Sequence, residues 1–516
     1  MAGKSRKKNV RWKNNPIFNN LVEFINKGYI FLFRDQKDNV YAEITRKNPK
    51  GEVNKIVCSI DSEDFKGTLL ALVAVHTGED LTNMRHYIAV CRHIAKNSPC
   101  IRNLFVRTAK FKESDSKDDY TIFIDLDGKE YIEINSGKWK ITDTVRGFMF
   151  KSFPHQKPMV KPVKKGGDCT KLLDFLNIHD KKEQSILLSY IITGLIPEIT
   201  MPALILNGPP GSAKTTLLRM VKKLLDPSVP EMINDNQWLN ELSLIASQNR
   251  MIVLDNLTYL TSKQSDMLCS VITGVGFSKR RLYTDEELVV QEYKNLIALS
   301  GVRLVPDRAD LFDRSIILSL DSIDPRDLKY EEDLWSKFNS TAGKIFGGML
   351  DVLAEALIMV KRVKLHYKPR MADFARYSVA IMHTLGWDPQ LIMEALMENK
   401  RKQIEAIIEA SPIGLLLLRL LQDKDSWSGL ASELNAELQK IAEGDGLHIN
   451  YRYWPYSEKA LKGELAFLSS ALKEYGILFE EKRVSAGSLK RFHKIPSGLM
   501  IEPNENVDEI LFEIGS

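Results

Sequence analysis

A glycine-rich loop that directly follows an apolar strand constrains this 516-residue chain more than any other feature. Residues 204–216 read Leu-Ile-Leu-Asn-Gly-Pro-Pro-Gly-Ser-Ala-Lys-Thr-Thr. In such a loop, glycines let backbone N–H groups surround the phosphates, the lysine reaches the β- and γ-phosphates, and the threonine hydroxyl holds Mg²⁺. The segment therefore predicts an ATP and Mg²⁺ site formed by Gly208, Pro209, Pro210, Gly211, Ser212, Ala213, Lys214, Thr215 and Thr216.

Two details of the loop bear on this prediction. A helix is expected from Thr215 to about Leu225, and its positive end would point at the bound anion. The usual pattern has a glycine just before the lysine, whereas here Ala213 occupies that position. We expect alanine to be tolerated, because a methyl group is the smallest possible intrusion.

A second apolar segment supplies a carboxylate. Residues 250–257 read Arg-Met-Ile-Val-Leu-Asp-Asn-Leu, which predicts a buried parallel strand ending in Asp255 at the edge where the phosphate loop lies. Asp255 is thus the candidate partner of Thr215 in holding Mg²⁺, and a solvated aspartate at a strand end is the alternative. Many ATPases have a water-activating glutamate at the next position, but here it is Asn256. An amide orients water without accepting its proton, which leaves the catalytic base unassigned.

Two further segments extend the order of motifs. Residues 294–301 form an apolar strand ending near the small polar Ser300, and residues 308–314, Arg-Ala-Asp-Leu-Phe-Asp-Arg, precede a strand over 315–320. This order resembles the core of AAA+ ATPases, an α/β P-loop fold in which the last of these arginines enters a neighbouring subunit's site. The resemblance implies that Arg314 is an arginine finger, that Arg308 is a second trans candidate, and that Ser300 stands at the first sensor position. For Arg314, the alternative is an arginine that satisfies a helix dipole.

A hairpin is predicted between the Asp255 strand and the Ser300 strand. After a helix over 262–273, which ends at Gly274 and Gly276, residues 277–294 read as two β-rich runs joined at Asp285-Glu286. A hairpin at this place resembles those of minichromosome maintenance and superfamily 3 helicases, where it grips DNA in the ring channel. The resemblance implies DNA contacts by Lys279, Arg280, Arg281 and Tyr283, with a solvated strand as the alternative. Residues 170–510 as a whole resemble the self-loading replicative helicases of mobile elements and phages.

The region before the phosphate loop is less informative. Residues 1–14 form a basic tail, either a disordered segment or a DNA-binding arm, and residues 15–150 an α+β accessory domain. Within it we predict helices over 17–28 and 65–97, strands over 29–44, and a hairpin around Asp125 and Asp127. Turn chemistry explains those two aspartates, and a metal site is the alternative. The Pro-, Lys- and Gly-rich residues 151–167 are the expected linker to the ATPase core.

After the core (168–325), helical spacing over 330–360 and 373–399 predicts an α-helical lid (326–410), in which the resemblance makes Arg370 or Arg376 a second sensor of the γ-phosphate. Surface arginines are the alternative. Residues 411–516 resemble a winged helix, with helices over 428–441 and 457–474 and a strand-rich wing over 476–495. Basic side chains flank the wing tip and suit phosphate contacts, although a protein-binding winged helix is the alternative. They are Lys482, Arg483, Lys490 and Arg491.

Composition narrows the functional classes. The net charge of +5 and 27% charged residues mean that any DNA contact must come from local patches. Five cysteines without a CxxC pair indicate a reducing, cytoplasmic compartment and argue against a structural zinc site. The longest apolar stretch, 186–206, contains Glu198 and two prolines, so no membrane partner is predicted.

Together these features predict a homo-hexameric, ATP-driven DNA helicase of a mobile element or phage that acts on single-stranded or forked DNA. Its catalytic residues would be Lys214, Asp255, Asn256, Ser300 and Arg314. A primase or polymerase is a further candidate partner. The alternatives are an AAA+ initiator or loader that remodels DNA without processive unwinding, and an ATP-switched signalling or defence scaffold.

Overall fold

The computed structural model describes residues 16–47, 53–78, 84–112, 120–145, 147–233, 238–274, 277–280, 288–291, 293–302, 309–444, 454–455, 457–485, 487–495 and 512–515. The chain forms two compact units. The first consists of Met1–Lys161 with Asp226–Pro230 and Ser247–Arg250, and the second consists of Pro162–Leu225, Glu231–Ala246 and Met251–Ser516. The first boundary between them lies inside the predicted linker. The basic tail lies outside the described residues.

The described part of the first unit combines three helices with two sheets. Its elements are α1 (Pro16–Asn26), β1 (Ile30–Asp35), β2 (Val40–Lys47), β3 (Val53–Ser59), α2 (Glu63–Thr77), α3 (Met84–Asn97), β4 (Ile101–Phe105), β5 (Thr108–Phe111), β6 (Thr121–Asp125), β7 (Tyr131–Asn135), β8 (Lys138–Thr142) and β9 (Phe148–Phe150). The sheets have the strand orders β3-β2-β1-β4-β9 and β5-β6-β7-β8. Buried side chains of α1 to α3, among them Phe24, Leu69 and Tyr87, form one core with β1 and β2. The single helical run predicted over 65–97 is therefore wrong, because α2 and α3 are separate helices.

The predicted hairpin around Asp125 is present as β6 and β7, which pair antiparallel. Oδ1 of Asp125 accepts a hydrogen bond from the Gly128 N–H at 2.7 Å, and Oδ1 of Asp127 accepts from the Lys129 N–H at 2.9 Å. Both aspartates thus stabilise the turn through backbone contacts, as turn chemistry predicts.

A buried ion pair holds the noncontiguous segments of the first unit together. Nε of Arg107 lies 3.2 Å from Oδ1 of Asp226, and both side chains are excluded from solvent. The other carboxylate oxygen of Asp226 accepts the Arg250 N–H at 2.9 Å, and Nη2 of Arg107 donates to the Lys157 carbonyl at 3.0 Å. Because a buried charge is costly without a partner, Arg107 and Asp226 each require the other.

The second unit contains the phosphate loop. It begins with a 3₁₀ helix (Cys169–Phe175) and continues with α4 (Lys181–Thr193), β10 (Ala203–Asn207), α5 (Lys214–Leu225), α6 (Trp238–Gln248), β11 (Met251–Leu257), α7 (Ser262–Thr273), β12 (Phe277–Arg280), β13 (Leu288–Gln291), β14 (Leu296–Gly301), α8 (Ala309–Phe312) and β15 (Ser315–Ser319). It ends with α9 (Glu331–Met359), β16 (Val363–Leu365), α10 (Ala372–Thr384), α11 (Pro389–Ala410), α12 (Pro412–Leu420), β17 (Ser426–Leu430), α13 (Ala431–Gly444), α14 (Glu458–Tyr475), β18 (Ile477–Val484), β19 (Gly487–Lys494) and β20 (Phe512–Ile514).

A parallel sheet of order β11-β14-β10-β15 forms the centre of this unit. Strands β10, β11 and β14 are runs of buried apolar residues, the pattern expected when helices cover both faces of a parallel sheet. One hydrophobic cluster extends from Ala203 of β10 through Ile413 of α12 to Phe492 of β19. The parallel sheet and the C-terminal elements therefore share a single core.

Part of the predicted linker is packed against helix α9. The Val163 N–H donates to the Gly343 carbonyl at 2.9 Å. A Cβ atom on Gly347 would lie 2.1 Å from the Val163 carbonyl oxygen, and one on Gly348 would lie 2.5 Å from the Asp168 nitrogen. Because the two backbones touch, residues 163–168 pack closely on α9 within the second unit.

Two boundaries in the C-terminal half also differ from expectation. The single helix predicted over 373–399 is two helices, α10 and α11, and α11 continues to Ala410. The helix predicted to begin at 428 begins at Ala431, because Ser426–Leu430 forms strand β17, which pairs with β19. The sheet order is β17-β19-β18, and the short β20 pairs with β16. No helix among the described residues has the length and apolar character needed to span a membrane.

Candidate nucleotide site

The phosphate loop connects the end of β10 to the start of α5, and its backbone requires glycine. Gly208 has φ 154°, and a Cβ atom there would lie 2.4 Å from the Leu320 carbonyl oxygen. Leu320 is held at this place because its N–H donates to the Asn207 carbonyl at 2.8 Å. The segment after β15 thus packs against the loop, and any side chain at position 208 would displace it.

The Lys214 ammonium lies within the loop. Nζ donates to the Gly208 carbonyl at 2.7 Å, to the Pro209 carbonyl at 2.8 Å and to Oγ of Ser212 at 3.2 Å. Burial lowers the pKa of Lys214, and the negative charge of Asp255 partly opposes this shift. A bond between the ammonium and an anionic phosphate adds the attraction of two opposite charges, so a phosphate would compete well with the neutral carbonyls for Lys214.

Three of the predicted site residues meet at the end of β11. Oγ1 of Thr215 donates to Oδ2 of Asp255 at 2.9 Å, and the Ser300 hydroxyl donates to Oδ1 of the same carboxylate. A hydroxyl and a carboxylate are oxygen ligands, which suit Mg²⁺ when phosphate oxygens and water complete its octahedral shell. Among the described residues, no group of three or more His, Cys, Asp or Glu side chains could hold a metal ion. The Thr215 hydroxyl and the Asp255 carboxylate are the oxygen ligands that Mg²⁺ bound together with a nucleotide would use.

The backbone conformation at position 256 favours asparagine. Its φ is 57°, in the left-handed region, and the pairing of β11 with β14 shifts register between Leu254 and Leu257. Asparagine tolerates this conformation better than glutamate does. The Asn256 N–H donates to Oγ of Ser300 at 3.2 Å, and its side chain is exposed. The bulge thus explains why an amide follows Asp255.

Arg314 lies at the other end of the sheet. Its carbonyl accepts a hydrogen bond from the N–H of Ala203, the first residue of β10, at 2.7 Å, whereas the phosphate loop follows the last residue of that strand, Asn207. Because β10 and β15 are parallel, the backbone of Arg314 and the loop are separated by the length of a five-residue strand. At about 3.3 Å per residue this is about 16 Å.

The guanidinium of Arg314 is held by Asp310, with which it forms an ion pair. Burial alone would lower the pKa of Arg314, but the hydrogen bond and charge of Asp310 outweigh it and raise that pKa. Asp310 also binds Nη2 of Arg370 at 2.7 Å, and Nη1 of Arg370 lies 2.8 Å from Asp313, which binds Lys400 as well. Sequence reasoning missed these carboxylates, although both stand in the quoted segment 308–314.

The surroundings of Arg370 place it at the Arg314 end of the sheet. Arg370 lines a cavity of about 90 Å³ together with Pro202, just before β10, and Ser315, the first residue of β15. Any γ-phosphate contact by Arg370 would therefore involve the nucleotide of another chain. Nε of Arg376 donates to the Val363 carbonyl at 3.1 Å. Arg308 lies outside the described residues.

The candidate DNA contacts differ in how far the structure describes them. Strands β12 and β13 pair antiparallel and form the predicted hairpin. The side chains of Lys279 and Arg280, and all of Arg281 and Tyr283, lie outside the described part of the chain. At the wing, Lys482, Arg483 and Arg491 are exposed.

Lys490 does not fit the predicted phosphate contact. Its side chain is fully buried, and Nζ donates to Oε1 of Glu481 at 2.5 Å and to Oγ of Ser488 at 3.0 Å. Strand alternation explains the difference, because Lys490 lies on the same face of β19 as the buried Phe492. Its role is structural.

Comparisons with known proteins agree with a role in replication. Residues 169–389 match the family model described as actinomycete integrative conjugative element replication protein. The chain is similar to replication proteins of conjugative elements. Residues 413–500 match a second model, described as the AICE RepA C-terminal domain. The first match contains the phosphate loop, Asp255 and Arg314, and the second contains the wing.

Two solved structures show remote likeness to the chain. The apo C-terminal region of NrS-1 is 13% identical with a TM-score of 0.39, and the match covers 92% of this chain and 98% of that one. The JCV helicase is 14% identical with a TM-score of 0.25, and the match covers 42% of this chain and 59% of that one. The comparison with curated proteins gave no match.

Proposed function

We propose that this chain is the ATP-driven motor of a mobile element's replication, a DNA helicase that works as a homo-hexameric ring. The similarity of residues 169–389 to replication proteins of conjugative elements supports the process. The convergence of Lys214, Thr215 and Asp255 at the end of a parallel sheet supports ATP binding with Mg²⁺. The order of α12, β17, α13, α14, β18 and β19 supports a winged helix at the C-terminal end.

The proposed chemistry is phosphoryl transfer from ATP to water. The backbone of the loop and Lys214 would bind the β- and γ-phosphates, and Thr215 with Asp255 would hold Mg²⁺, which neutralises charge that develops on the phosphates. Ser300, bonded to Asp255, would position a water or a γ-phosphate oxygen. Asn256 can orient the attacking water through its exposed amide.

The location of Arg314 is the observation that supports the ring. It lies a strand's length, about 16 Å, from the phosphate loop of its own chain. If Arg314 stabilises the transition state, it therefore acts at the phosphate loop of a neighbouring copy. Arg370, which shares the counter-ion Asp310 with Arg314, would enter the same neighbouring site. A contact of this head-to-tail type is heterologous, and it forms a ring when the rotation between copies closes.

Mixing two inactive variants tests this proposal. Lys214→Ala removes the phosphate-loop cation, and Arg314→Ala removes the trans cation, so we expect each variant alone to lose about 10³-fold or more of the ATPase rate. In mixed rings, the intact loop of an Arg314→Ala subunit can face the intact arginine of a Lys214→Ala subunit. Activity should therefore return on mixing and depend on the mixing ratio.

Arg92→Ala is a matched control, because Arg92 forms an ion pair with Asp61 in the first unit and should leave hydrolysis unchanged. If assembled mixtures stay inactive at every ratio, the trans role of Arg314 is excluded. A forked-duplex unwinding assay separates the helicase from an initiator or loader, which would show DNA-stimulated hydrolysis without strand displacement. Hydrolysis that ignores DNA would instead favour a signalling or defence scaffold.

A further inference from the structure

Two surface segments of opposite charge flank α9. The acidic segment, residues 321–333, carries six carboxylates and two basic side chains. The basic segment, residues 361–370, carries five lysines and arginines, one histidine and no carboxylate. The charged side chains of both segments are exposed, except for the half-buried Asp324.

The acidic segment begins beside the phosphate loop. It follows Leu320, whose backbone packs against Gly208. Its Glu331 carboxylate lies 3.0 Å from Nη1 of Arg219, on the helix that starts at the loop. The segment therefore borders the nucleotide-binding half of the proposed composite site.

The basic segment ends beside the arginine half of that site. Its last residue, Arg370, binds Asp310 and Asp313, the two carboxylates next to Arg314. Its middle is strand β16, whose backbone pairs with β20. The strand pairing fixes the segment on the surface.

Most of these charges lack a partner within the described part of the chain. In the acidic segment, Asp327, Glu332 and Asp333 form no ion pair with any described residue, and neither do Lys361 and Lys368 in the basic segment. Like charges gathered on one surface repel each other, and an opposite charge from outside relieves that repulsion. The acidic segment also exposes Leu328 at 62% and Tyr330 at 82%, and tyrosine is enriched in protein interfaces.

We propose that the basic segment of one copy of this chain binds the acidic segment of the next copy. The inference depends on the proposed function in one respect, which is that Arg314 acts on a neighbouring chain. When Arg314 of one copy approaches the phosphate loop of the next, the segments that border these two groups come to face each other. Their net charges, +5 and −4 with histidine neutral, are complementary. This contact aligns the two copies so that Arg314 of one lies beside the phosphate loop of the next.

Charge reversal tests this interface. The first variant combines Asp327→Lys, Glu332→Lys and Asp333→Lys, and the second combines Lys361→Glu, Lys364→Glu and Lys368→Glu. Each variant should associate at least tenfold more weakly than the wild type in sedimentation with Mg²⁺ and a non-hydrolysable ATP analogue. The deficit should shrink at about 1 M salt, where the Debye length is about 3 Å.

An equimolar mixture of the two variants gives the sharpest result. In a ring where they alternate, every interface joins opposite charges, so the mixture should assemble although neither variant does so alone. A control with Lys440→Glu, Lys459→Glu and Lys473→Glu changes the net charge as the second variant does, at exposed positions of α13 and α14, and should assemble normally. Circular dichroism checks that every variant is folded.

The outcomes separate this inference from the proposed function. If both reversal variants assemble like the wild type while the Arg314 and Lys214 variants complement each other, the ring stands and these segments are not its interface. If the second variant assembles normally but loses DNA binding, the basic segment binds nucleic acid and the inference is overturned. If the wild type never assembles, the composite site fails as well.

Discussion

Two non-glycine residues with positive φ frame the nucleotide site. Ala213 has φ 64° and Asn256 has φ 57°. The sequence predicted that Ala213 would be tolerated because it is small, but the structure shows that the demanding property is its left-handed backbone. This conformation costs a residue with a Cβ atom about 1–2 kcal/mol. The sequence motif identifies the residues of the loop, but it does not give their backbone dihedral angles, because the conformation of the whole loop determines those angles.

Replacing Ala213 tests this account. Ala213→Gly should retain ATPase activity and raise the free energy of unfolding by at most about 1.6 kcal/mol, because relief of about 1–2 kcal/mol of strain is offset by about 0.4–1 kcal/mol of added unfolded-state entropy. Ala213→Val should lower both stability and nucleotide affinity, since a β-branched residue is disfavoured at positive φ. Calorimetry and nucleotide titration measure the two effects. A valine variant as stable as the wild type would contradict the left-handed conformation.

The Glu481–Lys490 pair gives a second prediction. Bonds from Lys490 and Ser488 lower the pKa of Glu481 to about 2 from an ordinary 4.5. The stabilisation by the ionised form is therefore complete above about pH 4.5 and is lost as the pH falls toward about 2. Glu481→Gln should destabilise the protein by about 1.5–3 kcal/mol at pH 7, because the buried Lys490 loses its charged partner.

Thermal unfolding from pH 7 to pH 2 measures this effect. The difference between the wild type and Glu481→Gln should narrow as the pH falls below 4.5. Lys490→Met serves as the matched variant, and it should be milder, because Glu481 keeps its ion pair with Lys462 at 3.1 Å. A pH-independent difference would show that the ion pair contributes nothing.

Secondary structure elements were predictable where local pattern and burial agree. The core strands and helix α7 match the sequence prediction, because fully buried strands and a capped amphipathic helix leave direct marks in the sequence. The packing of residues 163–168 on Gly347 and Gly348 was not predictable, since it joins segments about 180 residues apart. Glycines inside a helix indicate that another segment packs closely against the helix, but they do not identify that segment.

The hairpin of β12 and β13 carries the main prediction about DNA. Replacing Arg280 and Arg281 together by alanine should abolish DNA stimulation and unwinding while assembly and basal hydrolysis persist, because the strands are separate from the phosphate loop. The log–log salt slope for single-strand affinity should fall by about 0.7 for each phosphate group that the variant no longer binds. Fluorescence anisotropy at several salt concentrations measures that slope.

Two further variants show which element of the protein binds DNA. Lys440→Ala with Lys473→Ala removes the same charge from exposed helical positions and should bind DNA normally. Lys482→Ala with Arg483→Ala tests the wing. If the hairpin variant keeps the wild-type salt slope and the slope falls in the wing variant, the wing rather than the hairpin is the main DNA-binding element.

For the molecule as a whole, a length of 516 residues exceeds a single hydrophobic core and predicts two to four domains, and the chain packs as two compact units. The predicted core, lid and winged helix all belong to the second unit, and one hydrophobic cluster joins Ala203 to Phe492. Sequence patterns report which face of an element is apolar, but they do not report which distant element covers that face. The boundary between the lid and the core is therefore visible in the sequence pattern, whereas the hydrophobic packing continues across it.

The buried pair of Arg107 and Asp226 joins two residues that the ribosome synthesises at different times. Asp226 follows Arg107 by 119 residues. At roughly 5–20 residues per second, its synthesis lags by about 6–24 s. During that interval Arg107 lacks the buried carboxylate of Asp226, and Asp125 is the nearby acidic residue already made. The N-terminal unit therefore completes this ion pair only after the phosphate-loop helix has been translated.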